Sequence, residues 1–191
     1  MRETAILTEQ AKAEDKLYKE YSEEAKFGMK YVEPFLLNLN DCSHVLEVGS
    51  GPCILISQLS MLHKNINFQA IEPMGPGFYM FDSLIQKAQK DNLFKLYPSG
   101  YETFESEIKF DLIYLINSFE HLPDFQHCIH FLKDNLAANG RCIILCPNYS
   151  FPYEPHFQLP VIISSKITHY IFRKKLQLLR VTTTYTVYGT V

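Results

Sequence analysis

Two glycines and an acid define the first chemistry this chain could perform. Gly49 and Gly51 stand in the run Glu47-Val48-Gly49-Ser50-Gly51-Pro52-Cys53, between a short β-branched stretch and a segment of helical period. Glycine lets the backbone turn tightly and approach a ligand with no Cβ in the way. The helix N-terminus that follows presents unpaired N–H groups. Glu72 closes the next strand-like run, about 20 residues further on, where a carboxylate can accept hydrogen bonds from both hydroxyls of a ribose. A dinucleotide fingerprint needs a third glycine at position 54, which is Ile54, so NAD is disfavoured.

A second group of residues could move protons. His121, Tyr149 and His156 lie near strand ends, within range of serving a hydroxyl nucleophile as general base, and His121 is the first choice. His121, His127, Cys128 and His130 look like a metal cluster in sequence. On a helix, however, Cys128 falls on the apolar stripe and His127 and His130 on the other side, so no metal is expected. The five cysteines, Cys42, Cys53, Cys128, Cys142 and Cys146, form an odd set without a C-x-x-C pair. They read as reduced core thiols.

The elements that must position these groups alternate between strand-like runs and helix-period segments, the pattern of a parallel α/β sheet. One or two lead-in helices are expected over 8–37, with apolar positions Leu17, Tyr18, Tyr21, Ala25, Met29 and Val32. Strands are expected at 44–48, 67–71, 93–97, 110–116 and 141–146, and helices at 53–62 and about Phe78 to Ala88. A further helix, capped by Asp124, should carry a stripe of Phe125, Cys128, Ile129, Leu132 and Leu136 and close at Asn139-Gly140. Residues 1–40 then form the lead-in and 41–191 the ligand-binding domain, within one globular unit. In an open sheet of this kind ligands sit beyond the carboxyl ends of the strands, where the chemistry-bearing residues cluster.

The segment from Glu47 to Cys53 resembles the first motif of class I S-adenosylmethionine-dependent methyltransferases, acid-x-Gly-x-Gly-x-Gly, with Cys53 in place of the last glycine. Phe110-Asp111-Leu112-Ile113-Tyr114, leading to Asn117-Ser118-Phe119-Glu120-His121-Leu122, is similar to the fourth-strand motif of the ubiquinone/menaquinone-type small-molecule group. The likeness runs from about Tyr18 to Tyr149. It implies a Rossmann-like three-layer sandwich that binds S-adenosyl-L-methionine. Glu47 would orient the loop and the methionyl amine, Gly49, Gly51 and Cys53 would line the methionine moiety, and Glu72 would hold the ribose. Met74, Tyr101 and Glu102 would make adenine contacts, and Asn117 would join the cofactor site. Tyr149 and His156 would face the acceptor. The family fold ends in a sixth strand and an antiparallel seventh, whereas 176–191 has room for one strand after the 161–175 segment. A shortened or incomplete hairpin is therefore expected, with a sheet edge open to oligomerisation.

Composition narrows the partners. The formal charge of −3 gives no general attraction to polyphosphate, so the acceptor is expected to be a small molecule and not a nucleic acid. The chain start alternates charge without an apolar stretch, so a cytoplasmic protein is expected. The cluster Arg173-Lys174-Lys175 beside apolar residues reads as the basic rim of a surface helix, with contact to an anionic membrane surface the lesser alternative. Two rivals to the methyltransferase reading are a non-catalytic scaffold relative, motivated by Cys53 and the short C-terminus, and a nucleotide-cofactor oxidoreductase, motivated by the glycine turn and Glu72.

Overall fold

The computed structural model describes residues 2–75, 78–91 and 93–146, together with short strands at 153–154, 159–160 and 189–190. A single helix, α1 (Arg2–Leu36), leads into β1 (His44–Val48), α2 (Ile54–Leu62) and β2 (Asn67–Ile71). A 3-10 turn (Tyr79–Phe81) runs into α3 (Asp82–Ala88), followed by β3 (Phe94–Tyr97) and β4 (Phe110–Ile116). A second 3-10 turn (Phe119–His121), α4 (Phe125–Asn135) and β5 (Leu136–Cys146) complete the main body. β6 (Tyr153–Glu154) pairs antiparallel with β7 (Leu159–Pro160), and β8 (Gly189–Thr190) joins the main sheet.

That sheet has the order β3-β2-β1-β4-β5-β8. The first five strands are parallel, and β8 is antiparallel to β5 through Leu145 and Cys146. Side chains alternate across it and feed two apolar layers. Val45, Phe68, Ala70, Leu112 and Tyr114 face α1, α2 and α3. Leu46, Val48, Ile71, Ile113 and Leu115 face α4 and the aromatic pair Tyr101 and Phe104. With helices covering both faces, β4 reads as an almost unbroken apolar run.

α1 sits close to the sheet because Gly28 lacks a side chain. A Cβ there would lie 2.9 Å from Leu55 Cδ2 and 3.1 Å from Ile116 Cγ2. Ala25, Val32 and Leu36 on the same face are buried in the shared core. The helix-spaced pattern 21, 25, 28, 32 is thus a docking face.

Two expectations about α4 and β5 are corrected. Phe125 and Ile129, placed on the apolar stripe, are 58% and 45% exposed, while Phe131 is buried with Cys128 and Leu132. The helix is turned toward the rings of Tyr101 and Phe104, whose centroids lie 6.1 and 6.2 Å from that of Phe131. Asp124 does cap the helix, accepting a hydrogen bond from the His127 N–H at 2.9 Å. Asn139-Gly140 does not end it. The helix stops at Asn135, and β5 begins at Leu136 with a bulge between the pairs Phe110–Leu136 and Leu112–Arg141. Gly140 is needed there by close approach, since a Cβ would come 2.6 Å from the Phe110 carbonyl oxygen.

The segment 151–160 contains the β6–β7 pair. The helix expected over 161–175 lies outside the described residues. Among the described residues no helix is long and apolar enough to cross a membrane.

Candidate functional site

Strand order reverses between β1 and β4, so the loops leaving those strands diverge and open a crevice at their carboxyl ends. The glycine loop forms its floor. Gly49 has φ 75° and its N–H donates to the Ile71 carbonyl at 2.9 Å, holding the loop to the end of β2. A Cβ on Gly49 would strike Ser118 Cβ at 2.6 Å, and Ser118 Oγ itself donates to the Val48 carbonyl at 2.8 Å. Gly51 has φ 50° and a Cβ there would meet nothing within 4 Å, because this residue faces the open crevice.

Cys53 explains the missing glycine. It occupies the N-cap of α2 at φ 59°, a left-handed conformation that glycine adopts without strain. Its side chain is fully buried beneath the loop, with Sγ 3.4 Å from Ser50 Oγ and 3.7 Å from the Gly51 carbonyl. Burial, together with the nearby Glu47 and Glu72 charges, pushes the thiol up to about 12, although the Ser50 hydrogen bond acts the other way. It is therefore a packed thiol and not a nucleophile.

Glu47 and Glu72 provide buried acid groups. Glu72 Oε2 accepts the Gly51 N–H at 2.7 Å, so the acid at the end of β2 also fixes the glycine loop. Glu47 is 3% exposed and its Oε2 has no hydrogen-bond partner. It stands opposite Tyr114 across the β1–β4 pair, and the Tyr114 hydroxyl is likewise buried without a partner. Burial raises both carboxyls above the ordinary value. Glu72 adds to the effect on Glu47, and the Gly51 hydrogen bond offsets part of it on Glu72.

The crevice is a cavity of about 430 Å³, a size ordinary for a small-molecule site. Of the residues singled out from sequence, Glu47, Gly49, Gly51, Glu72, Tyr101, Glu102, Asn117 and His121 all line it. Tyr101 is held by its hydroxyl, which donates to the Asp124 carbonyl at 2.9 Å. Asn117 has φ 53°, and both atoms of its side-chain amide are buried without partners. His121 Nε2 lies 4.0 Å from Glu120 Oε1. Met74 does not line this cavity. It borders a neighbouring depression with Phe78, Tyr79 and Asp82. Tyr149 and His156 lie outside the described residues.

Sequence reasoning passed over one wall. Tyr21, Glu24 and Ala25 of α1 line the cavity, together with Phe78, Phe81, Ser118, Glu120 and Leu122. The Tyr21 ring meets Phe81 edge-on at 5.1 Å. Burial and the charges of Glu24, Glu20 and Glu72 push the Tyr21 hydroxyl up to about 12, so it remains a neutral donor. The spacing 21, 24, 25, 28 on one helical face was the available signal. Five glutamates line the cavity, Glu24, Glu47, Glu72, Glu102 and Glu120, and among the described lining residues there is no lysine or arginine.

Comparison with known proteins defines the class. Residues 18–180 match the model of the methyltransferase domain family, and the chain belongs to that family. Its curated relatives include uncharacterised proteins from two strains of Mycobacterium tuberculosis, each 31% identical over 158 residues. The match covers 81% of this chain and 53% of theirs, so the chain spans about half the length of these relatives. Among solved structures, the plantazolicin methyltransferase BpumL in complex with SAH superposes with a TM-score of 0.60 at 15% identity, over 86% of this chain and 62% of that one. A SAM-dependent methyltransferase from Geobacter sulfurreducens, solved with S-adenosyl-L-homocysteine, gives 0.52 at 14% identity, over 70% and 51%. These likenesses define the fold as the Rossmann-like methyltransferase sandwich.

Proposed function

We propose that this chain binds S-adenosyl-L-methionine in the crevice between β1 and β4 and directs methyl transfer to a small-molecule acceptor. The observation that carries this reading is the charge of the cavity, five glutamates with no lysine or arginine among its described lining residues. A ligand with an ammonium and a sulfonium suits such a wall. A pyrophosphate, as in NAD, would be repelled by it. The buried, unpartnered Glu47 Oε2 fits an ammonium donor, and the open face of Gly51 leaves room for a ligand against the backbone. The two solved relatives named above are complexes with S-adenosylhomocysteine, which supports the same reading.

In this reading Glu47 receives the methionyl amine and Glu72 keeps one oxygen on Gly51 while its other takes the ribose diol. Tyr101 and Glu102 border the base, and Asn117 offers its amide to the same ligand. When bound, the cofactor supplies an electrophilic methyl on positive sulfur, so the protein's task is to align an acceptor in line with it. His121, a residue of the cavity lining, would take the acceptor's proton, with Glu120 Oε1 4.0 Å away to support the imidazolium. The Asn117–Leu122 run favours the ubiquinone/menaquinone-type small-molecule group.

Calorimetry with S-adenosylhomocysteine and with NAD tests the assignment. Selective binding of the first is expected. Binding of NAD alone would support the oxidoreductase, and binding of neither would support the scaffold.

A further inference from the structure

Tyr114 interrupts the apolar run of β4 at the position in register with Glu47 of β1. Register partners on parallel strands project to the same face of a sheet. Tyr114 packs there with Val45 and Leu112, on the side covered by α1 and α2. It is fully buried, and neither its hydroxyl nor Glu47 Oε2 has a hydrogen-bond partner. Of the two register neighbours of Glu47, Ala70 on β2 and Tyr114 on β4, only the tyrosine carries a donor. Burial, then the charges of Glu47 and Cys53, hold that hydroxyl well above the ordinary tyrosine value, so it remains neutral. A phenylalanine would fill the same space without the cost of burying an unpaired hydroxyl.

We infer that Tyr114 is a positioning residue for Glu47, its hydroxyl donating to the Glu47 carboxylate when that group ionises to receive the ligand's ammonium. The ammonium rests on the methyltransferase reading above, which this inference deepens. The pairing of Tyr114 with Glu47 stands on register and burial. Burial first, and then Glu72 of β2, favour the protonated Glu47 carboxyl, whereas a hydrogen bond from the Ile56 N–H of α2 favours the anion. A donating Tyr114 hydroxyl joins Ile56 on the side of the anion. Cys53, at the start of α2, also senses Glu47, and Tyr21 and Glu24 of α1 and Glu120 and His121 beyond β4 share the cavity lining with it. Ligand binding then sends the Glu47 proton to solvent, and affinity grows as pH rises through the raised range of that carboxyl.

The test compares Tyr114→Phe with the parent, both checked for native circular dichroism, by urea unfolding of the ligand-free full chain across pH. A raised carboxyl contributes stability that is fully present below about 4.5 and lost as pH rises through its folded value. Loss of the donor raises Glu47 further. The folding constant of Tyr114→Phe relative to the parent should therefore fall about ten-fold over that rise, equivalent to about one pH unit in Glu47. In a Glu47→Gln background the same substitution should give a ratio independent of pH. A pH-independent ratio in the parent background, or an equal fall in the Glu47→Gln background, would overturn the inference. Calorimetry with S-adenosylhomocysteine reads the functional side, where the midpoint of affinity against pH should lie about one unit higher in Tyr114→Phe. An unshifted midpoint would likewise overturn it. If the parent binds no S-adenosylhomocysteine at any pH, the methyltransferase reading fails, while the unfolding comparison still decides whether Tyr114 serves Glu47.

Discussion

Glu47 and Glu72 line one cavity that has no lysine or arginine among its described lining residues. Burial raises both carboxyls above 4.5, so between that value and their raised values the folded chain binds more protons than the unfolded one. The contribution of these two groups to stability without ligand is then fully present below about 4.5 and is lost as pH rises through the raised values. Glu47→Gln should therefore gain melting temperature relative to the ligand-free parent as pH rises through that range. A difference between the two proteins that stays constant with pH would contradict this. Glu72→Ala removes both a loop anchor and the expected diol acceptor. It should weaken S-adenosylhomocysteine by about 1.5–3 kcal/mol, the range for a charged-group hydrogen bond, measured by calorimetry on folded variant. Cys53 is a subtler case. Glycine there would relieve a left-handed strain of about 1–2 kcal/mol while giving up a buried thiol, so Cys53→Gly should unfold in urea within about 1 kcal/mol of the parent. Cys53→Val adds a branch at a positive φ and in a filled space, and should lose about 2 kcal/mol or more. Glu47, Gly49, Gly51 and Glu72 were legible because motif chemistry depends on their spacing in the chain. That Met74 borders the neighbouring depression was not legible, because its neighbours are set by how the chain leaves β2, which spacing does not encode.

At the scale of elements, β1, β2 and β4 were readable to the residue because a buried parallel strand is an apolar run with sharp polar ends. α4 and β5 were not. Several faces of α4 carry apolar residues, and only the ring cluster of Tyr101, Phe104 and Phe131 decides which one turns inward. Asn139-Gly140 has the chemistry of a helix stop, yet the close approach of the Phe110 carbonyl uses that glycine for a bulge. The role of α1 was hidden for a related reason. Its periodicity shows an apolar face but not that the face closes a ligand cavity. Gly28 makes the point testable. Gly28→Leu would wedge α1 off Leu55 and Ile116, costing about 1–3 kcal/mol of stability by overpacking. Affinity for S-adenosylhomocysteine should fall as well, because Tyr21 and Glu24 move with the helix. An unchanged affinity would detach α1 from the site.

Across the whole molecule, the reversal of strand order between β1 and β4 places the glycine loop, Glu72 and the Asn117–His121 turn around one opening. The antiparallel β8 pairs with the edge of β5 at Leu145 and Cys146. The described cavity supplies acid groups and aromatic residues from both sides of that opening, and under the proposed function its charge would select a cationic cofactor. A crystal structure of this chain grown with S-adenosylhomocysteine tests that claim most directly. Density is expected in the crevice, with the ribose hydroxyls on Glu72 and the amino group against Glu47. An empty crevice at saturating ligand, or a nucleoside bound elsewhere, would contradict it.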